Sequence, residues 1–146
     1  MSITCPRAAA AVVLVALWLV ACGTGSGGEV FDLQVGDCFD DPDEPVEQLA
    51  EVPLIGCEQP HGNQVFALFD LPGQDFPGDA QVTEQARDGC LARFEDYVGS
   101  AYEESELFAA WLPPTQASWQ AGDREVVCVL FAEDGPLVGS QQGSGR

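Results

Sequence analysis

Lysine is absent from this chain of 146 residues, and its five positive charges are all arginine. Against them stand 24 Asp and Glu residues, for a formal net charge of −19. Such a chain repels phosphate backbones and anionic headgroups, which excludes nucleic acid as a direct partner. Histidine is nearly absent too, so His61 is the one imidazole available for acid–base chemistry near neutral pH. No serine sits in a Gly-x-Ser-x-Gly elbow, and no glycine-rich loop has the Walker or Rossmann spacing. Cys57 and His61 are four apart, but no Cys-x-x-Cys pair accompanies them, which argues against zinc. Residues 40–47 are acidic yet lack the glycine and closing glutamate of an EF-hand loop, which argues against calcium. The expectation is a protein with no catalytic residues, no metal and no cofactor.

The chain also lacks an apolar run of the roughly 20 residues that a spanning helix needs. Residues 8–21 are almost wholly apolar, follow the lone charge of Arg7, and end in small residues, the layout of a secretory signal peptide. Leu19-Val20-Ala21-Cys22 resembles the lipobox of bacterial lipoproteins, and the resemblance implies acylation of Cys22 after cleavage before it. Residues 22–29 then read as the lipidated cysteine and a Gly/Ser tether. Six residues of such a tether span only ~13 Å, which keeps the domain close to its membrane. Cleavage leaves four arginines against all 24 acids, so acyl chains, not charge, would hold the protein at the extracytoplasmic face.

Four cysteines remain, Cys38, Cys57, Cys90 and Cys128, and an even number in an exported domain implies two disulfides. Three connectivities are open. Cys38–Cys57 with Cys90–Cys128 is favoured, because the first pair joins neighbouring segments. Cys90 meanwhile lies on the apolar face of the clearest helix, and Cys128 lies in the most apolar strand.

The segment 30–140 reads as one domain, with 141–146 a polar, loose tail. Strands are expected at 30–35, 52–57, 64–71, 107–112 and 124–133. On the third of these, Val65, Ala67 and Phe69 are expected to share a face. A helix runs from an N-cap at Asp79 to about Val98, with Val82, Ala86, Cys90, Phe94 and Tyr97 on its apolar face and Gly99 as its C′ residue. Residues 115–120 suggest one helical turn. Asp134-Gly135 suggests a hairpin turn into a short strand at Leu137-Val138. The fold class is α+β: a small, mostly antiparallel sheet of five or six strands with one main helix. Trp111 and Trp119 flank Pro113-Pro114 and, with His61, are the candidates for a binding platform.

Several short stretches are similar, in order, to the actinobacterial septum formation domain family. They are Val35-Gly36-Asp37-Cys38-Phe39, Pro60-His61, Phe76-Pro77-Gly78, Tyr97-Val98-Gly99, Ala121-Gly122-Asp123-Arg124, Val127-Cys128 and Leu137-Val138-Gly139-Ser140. The resemblance implies an exported or membrane-anchored protein linked to cell division, whose shared cysteines form a scaffold. It carries no catalytic residue. The C-terminus departs from the family's Gly-Ser-Leu-Arg-Gly run, reading Gly139-Ser140-Gln141-Gln142-Gly143 without the basic residue. The expected function is a non-enzymatic lipoprotein module that binds an envelope protein; the alternative is a lipoprotein that binds a small molecule or wall fragment.

Overall fold

The computed structural model describes residues 27–29, 33–41 and 51–146, with residues 27–29 and 51 as backbone only. The signal peptide, Cys22, the first half of the expected tether, residues 30–32 of the first expected strand and most of the acidic loop lie outside the described residues. Among the described residues six strands form one sheet: β1 (Gly27–Glu29), β2 (Cys38–Phe39), β3 (Glu51–Ile55), β4 (Asn63–Asp70), β5 (Phe108–Leu112) and β6 (Glu125–Phe131). Their order is β1-β3-β2-β4-β6-β5, and every pairing is antiparallel. One long helix, α1 (Asp79–Val98), packs on the sheet, and a short α2 (Gln116–Gln120) follows β5. The end of the expected tether therefore enters the sheet: Gly27 to Glu29 pair with Pro53 to Glu51.

The sheet separates two apolar clusters. Phe66, Ala67, Val126, Cys128 and Leu130 meet the α1 face of Val82, Ala86, Cys90, Phe94 and Tyr97. On the other side Leu33, Phe39, Val52, Val65, Val127 and Val129 form a smaller core. In β6 this is the period-2 alternation of a strand buried on both faces. In β4 the alternation breaks, because the register against β6 shifts between Val65 and Ala67. The bulge turns Phe66 and Ala67 together toward α1 and leaves Val65 on the opposite side. The expected shared face of Val65, Ala67 and Phe69 is thereby divided.

Cys38 is bonded to Cys57, and Cys90 to Cys128. The second bridge joins α1 to the middle of β6, with both cysteines fully buried. The first ties β2 to the loop after β3.

Helix α1 begins one residue earlier than expected. Gly78, at φ +101°, is the N-cap and makes no side-chain cap, while Asp79 opens the first turn and meets the positive end of the dipole. At the other end Gly99 adopts φ +85° and donates its N–H to Glu95 O at 2.8 Å. The C-terminal segment is docked, contrary to the loose tail expected. Gly143 N–H donates to Tyr97 O and Gly145 N–H to Val98 O, each at 2.8 Å. A helix end leaves such carbonyls unpaired, and a glycine-rich chain lies close enough to pair them. The expected hairpin after β6 does not form either. Leu137 pairs with His61 instead, through N–H···O contacts of 3.0 and 2.7 Å.

Gly89 is required by a close approach, because a Cβ there would overlap the Phe69 ring. That ring carries the Arg93 guanidinium 4.2 Å from its centroid. Alanine gains about 1 kcal/mol of helix propensity over glycine. Overpacking costs roughly 1–3 kcal/mol, and moving the ring also disturbs Arg93. Gly89→Ala is therefore expected to lower stability by about 1 kcal/mol in urea melts; a stabilised variant would show that Phe69 swings aside freely.

Glu125 faces Asp70 across the β4–β6 ladder, a like-charge pair in direct register. Burial raises its carboxyl above the ordinary glutamate range, and Asp70 and Asp123 add to the effect. A folded-state pKa above the unfolded one means that the native state binds the extra proton. Stability is accordingly lost as pH rises from the unfolded glutamate value through the folded one. Glu125→Gln should melt at a higher temperature than the wild type at pH 7. The two melting temperatures should converge below about pH 4, where both states hold the proton. A constant difference across that range would contradict this.

Candidate functional site

His61 is fully buried. It follows the turn 58–60, where Pro60 precedes it, and its backbone is fixed by Leu137. Its Nδ1 lies 2.8 Å from Gln59 O, and a carbonyl only accepts, so Nδ1 carries the hydrogen. Its Nε2 is buried and without a hydrogen-bond partner among the described residues. Beside it, Gln64 is also fully buried and joins three segments. Its Nε2 donates to Gly36 O at 3.2 Å and to Ser140 Oγ at 3.1 Å, while its Oε1 accepts from Gln141 N–H at 2.8 Å. Gly139 N–H donates to Cys57 O at 2.7 Å, so the first disulfide belongs to the same knot. Burial raises the Tyr97 phenol above its usual range, with Ser140 partly offsetting the shift. This cluster binds backbone to backbone and faces inward.

The two tryptophans part company. Trp119 is 3 % exposed, and its Nε1–H donates to Gln74 O at 2.9 Å. Phe76 meets its ring edge to face, with centroids 5.6 Å apart, and the Arg124 guanidinium lies 3.9 Å from its centroid. Arg124 also donates to the carbonyls of Gly73, Gln74, Trp119 and Asp123. Trp119 is thus held on every side and offers no open ring face. Trp111, opposite Cys128 on β5, is half-buried against the α1-side core. The expected platform of Trp111, Trp119 and His61 is not assembled, since two of its three members are buried.

An open cleft lies elsewhere, at the end of the sheet where β2 finishes, β4 begins and β6 ends. It encloses about 440 Å³, within the range of ligand sites. Ala110, Phe131, Ala132 and Pro136 supply its apolar wall, and Asp40 and Asp41 supply its charge. Both carboxylates are fixed from one side. Asp40 Oδ1 accepts Gly62 N–H at 2.6 Å, and Asp41 Oδ1 accepts Asn63 Nδ2 at 2.9 Å. No hydrogen bond or ion pair reaches the second oxygen of either carboxylate among the described residues. Sequence reasoning placed Asp40 and Asp41 in an acidic loop and missed the cleft. No local pattern marks it, because its walls come from four separated segments.

Among the described residues no group of His, Cys, Asp and Glu is arranged to hold a metal ion. No described helix is long and apolar enough to cross a membrane.

The described chain is a disulfide-stapled α+β domain with an internal polar knot and one acidic, partly apolar cleft at a sheet end. It belongs to the septum formation family, whose sequence model matches residues 30–128. It is similar to "Putative lipoprotein LppN" of Mycobacterium tuberculosis and to the protein of that name in Mycobacterium bovis, at 27% identity over 111 residues in each case. The match covers 73% of this chain and 60% of each relative, so the chain spans less than two thirds of their length. No solved structure matches it.

Proposed function

We propose that this protein is an exported lipoprotein, anchored through acylated Cys22, whose domain is a non-enzymatic protein-interaction module of the cell envelope acting in septum formation. The lipobox-like Leu19-Val20-Ala21-Cys22, read beside membership of the septum formation family, carries the proposal. The lipoprotein names of the two mycobacterial relatives agree with it. The position of His61 supports the non-enzymatic part. An imidazole sealed in a core with one nitrogen on a backbone carbonyl is suited to positioning chain, and general acid–base work needs a group that can reach a substrate. Crosslinking in intact cells, followed by affinity capture of the tagged protein, tests the proposal. One or more envelope proteins enriched over a mock-tagged control is the expected result, and no enrichment would overturn it.

The cleft gives a second reading some support, a lipoprotein that binds a small molecule or wall fragment. Phe131 and Ala110, on neighbouring strands β6 and β5, supply part of the apolar wall such a ligand would meet. Soluble wall fragments titrated into the protein should give a heat of binding by calorimetry, and no heat counts against this reading.

A further inference from the structure

We infer that the cleft beside Asp40 and Asp41 is the contact site of the module, and that it receives a basic side chain, arginine above all, from an extended segment of the partner protein. The inference rests on the interaction-module reading and names the chemistry of its partner. Three observations on the cleft carry it.

First, the charge there has no internal counterpart. The four arginines of the domain are engaged elsewhere: Arg87 with Asp88, Arg93 over Phe69, Arg124 over Trp119, and Arg146 with Glu106. There is no lysine to substitute for them. Second, the carboxylates are preorganised. Gly62 N–H and the Asn63 amide each hold one oxygen, and among the described residues nothing donates to the other oxygen of either carboxylate. A cation bound there meets groups already ordered, so little freedom is lost on binding. Third, the wall is apolar and partly aromatic. Phe131, on the cleft wall with Ala110, Ala132 and Pro136, is half-buried and stacks with Phe108, with centroids 5.6 Å apart and planes at 28°. A guanidinium suits that combination, since it stacks on a ring and donates to carboxylates in its own plane, whereas an ammonium is a strongly hydrated point charge.

The cleft is open and of side-chain scale, so an extended segment could insert one residue and run on across the sheet end. Complementary charge would also speed encounter with a basic partner, in a manner weakened by salt.

The test is the anisotropy of a fluorescein-labelled Gly-Ala-Arg-Ala-Arg-Ala-Gly peptide, titrated with the full chain purified in neutral detergent at physiological salt. Asp40→Asn/Asp41→Asn is the informative variant, because asparagine still accepts from Gly62 N–H and from the Asn63 amide, and the fold is kept. It should bind the peptide at least about tenfold more weakly than the wild type, the loss expected for a charge-assisted contact. Glu84→Gln/Glu95→Gln on the exposed side of α1 removes the same charge far from the cleft and should change affinity by less than about twofold. A peptide with glutamine in place of arginine should not bind. Equal losses from both variant pairs would reduce the effect to the net charge of the chain and overturn the inference, as would a wild type that fails to bind the arginine peptide. The same variant separates this inference from the broader reading. A partner captured equally by wild type and Asp40→Asn/Asp41→Asn leaves the interaction module standing and refutes the cleft as its contact site.

Discussion

Replacing the buried bridge with Cys90→Ala/Cys128→Ala is expected to cost about 4 kcal/mol of stability, by the loop-entropy relation for its 38-residue separation. At roughly 4 °C per kcal/mol, the melting temperature should fall by about 15 °C. The bridge closes a long loop and joins α1 to the central strand β6, so its loss loosens the contact on which the larger core depends. Cys38→Ala/Cys57→Ala closes half that separation and should cost nearer 3 kcal/mol. The two bridges should also differ in access. Cys57 is half-buried, whereas Cys90 and Cys128 are sealed from solvent. Mild reductant should therefore open Cys38–Cys57 first and reach Cys90–Cys128 only as the protein unfolds. Calorimetry of the two double variants checks the order of stability, and mass-tagging of free thiols checks the order of reduction. A larger loss from the Cys38–Cys57 pair would show that the knot around Gln64 and Cys57, not the helix-to-sheet staple, holds the domain together.

Trp119→Ala is expected to lower stability by about 3–5 kcal/mol, the usual loss on emptying a buried aromatic site. The Phe76 ring and the Arg124 guanidinium would both lose the surface they pack on, and Gln74 O would lose its indole donor. Trp119→Phe keeps most of the packing and forfeits the N–H, so about 1 kcal/mol should be lost instead. Urea denaturation followed by far-UV circular dichroism measures both. Had Trp119 been part of a binding platform, truncation would leave a stable fold with altered ligand affinity. A Trp119→Ala protein that melts within a degree or two of the wild type would contradict the structural role assigned to this residue.

The features legible in the sequence are those written in local periodicity. The 4, 4, 4, 3 spacing from Val82 to Tyr97 located α1 and its buried face. It places Cys90 opposite the apolar run of β6, which favours one disulfide pairing over the other two. The residues missed depend on contacts between distant segments. Phe66 reads as an alternating strand residue, and only the register of β4 against β6 reveals the bulge. Leu137 carries a hairpin signal in Asp134-Gly135, but His61 offers it a backbone partner 76 residues away, and the tertiary pairing prevails. The C-terminal segment looks loose because it is glycine-rich and polar, yet those same glycines let it lie against the end of α1.

The short stretches that carry the family resemblance acquire physical roles. Gly36 accepts through its carbonyl from Gln64, and Cys38 closes the first disulfide. Asp123-Arg124 secures Trp119 and the segment at residues 73–74. Gly139-Ser140 joins Cys57 and Gln64. These are scaffold tasks, which is why the shared stretches lead to the fold and not to a partner. Asp40 and Asp41 stand outside those stretches, on the surface the scaffold leaves open. Fold membership alone does not transfer a partner, so the proposed contact at Asp40 and Asp41 is tested on those residues themselves.

The most direct measurement is the cellular location of a tagged full-length protein beside its Cys22→Ala form, with the mass of each mature N-terminus recorded. An acylated wild type enriched at septa is expected, beside a Cys22→Ala protein that carries no acyl chain and loses that enrichment. Identical septal patterns for the two forms, or a wild type with an unmodified Cys22, would contradict it.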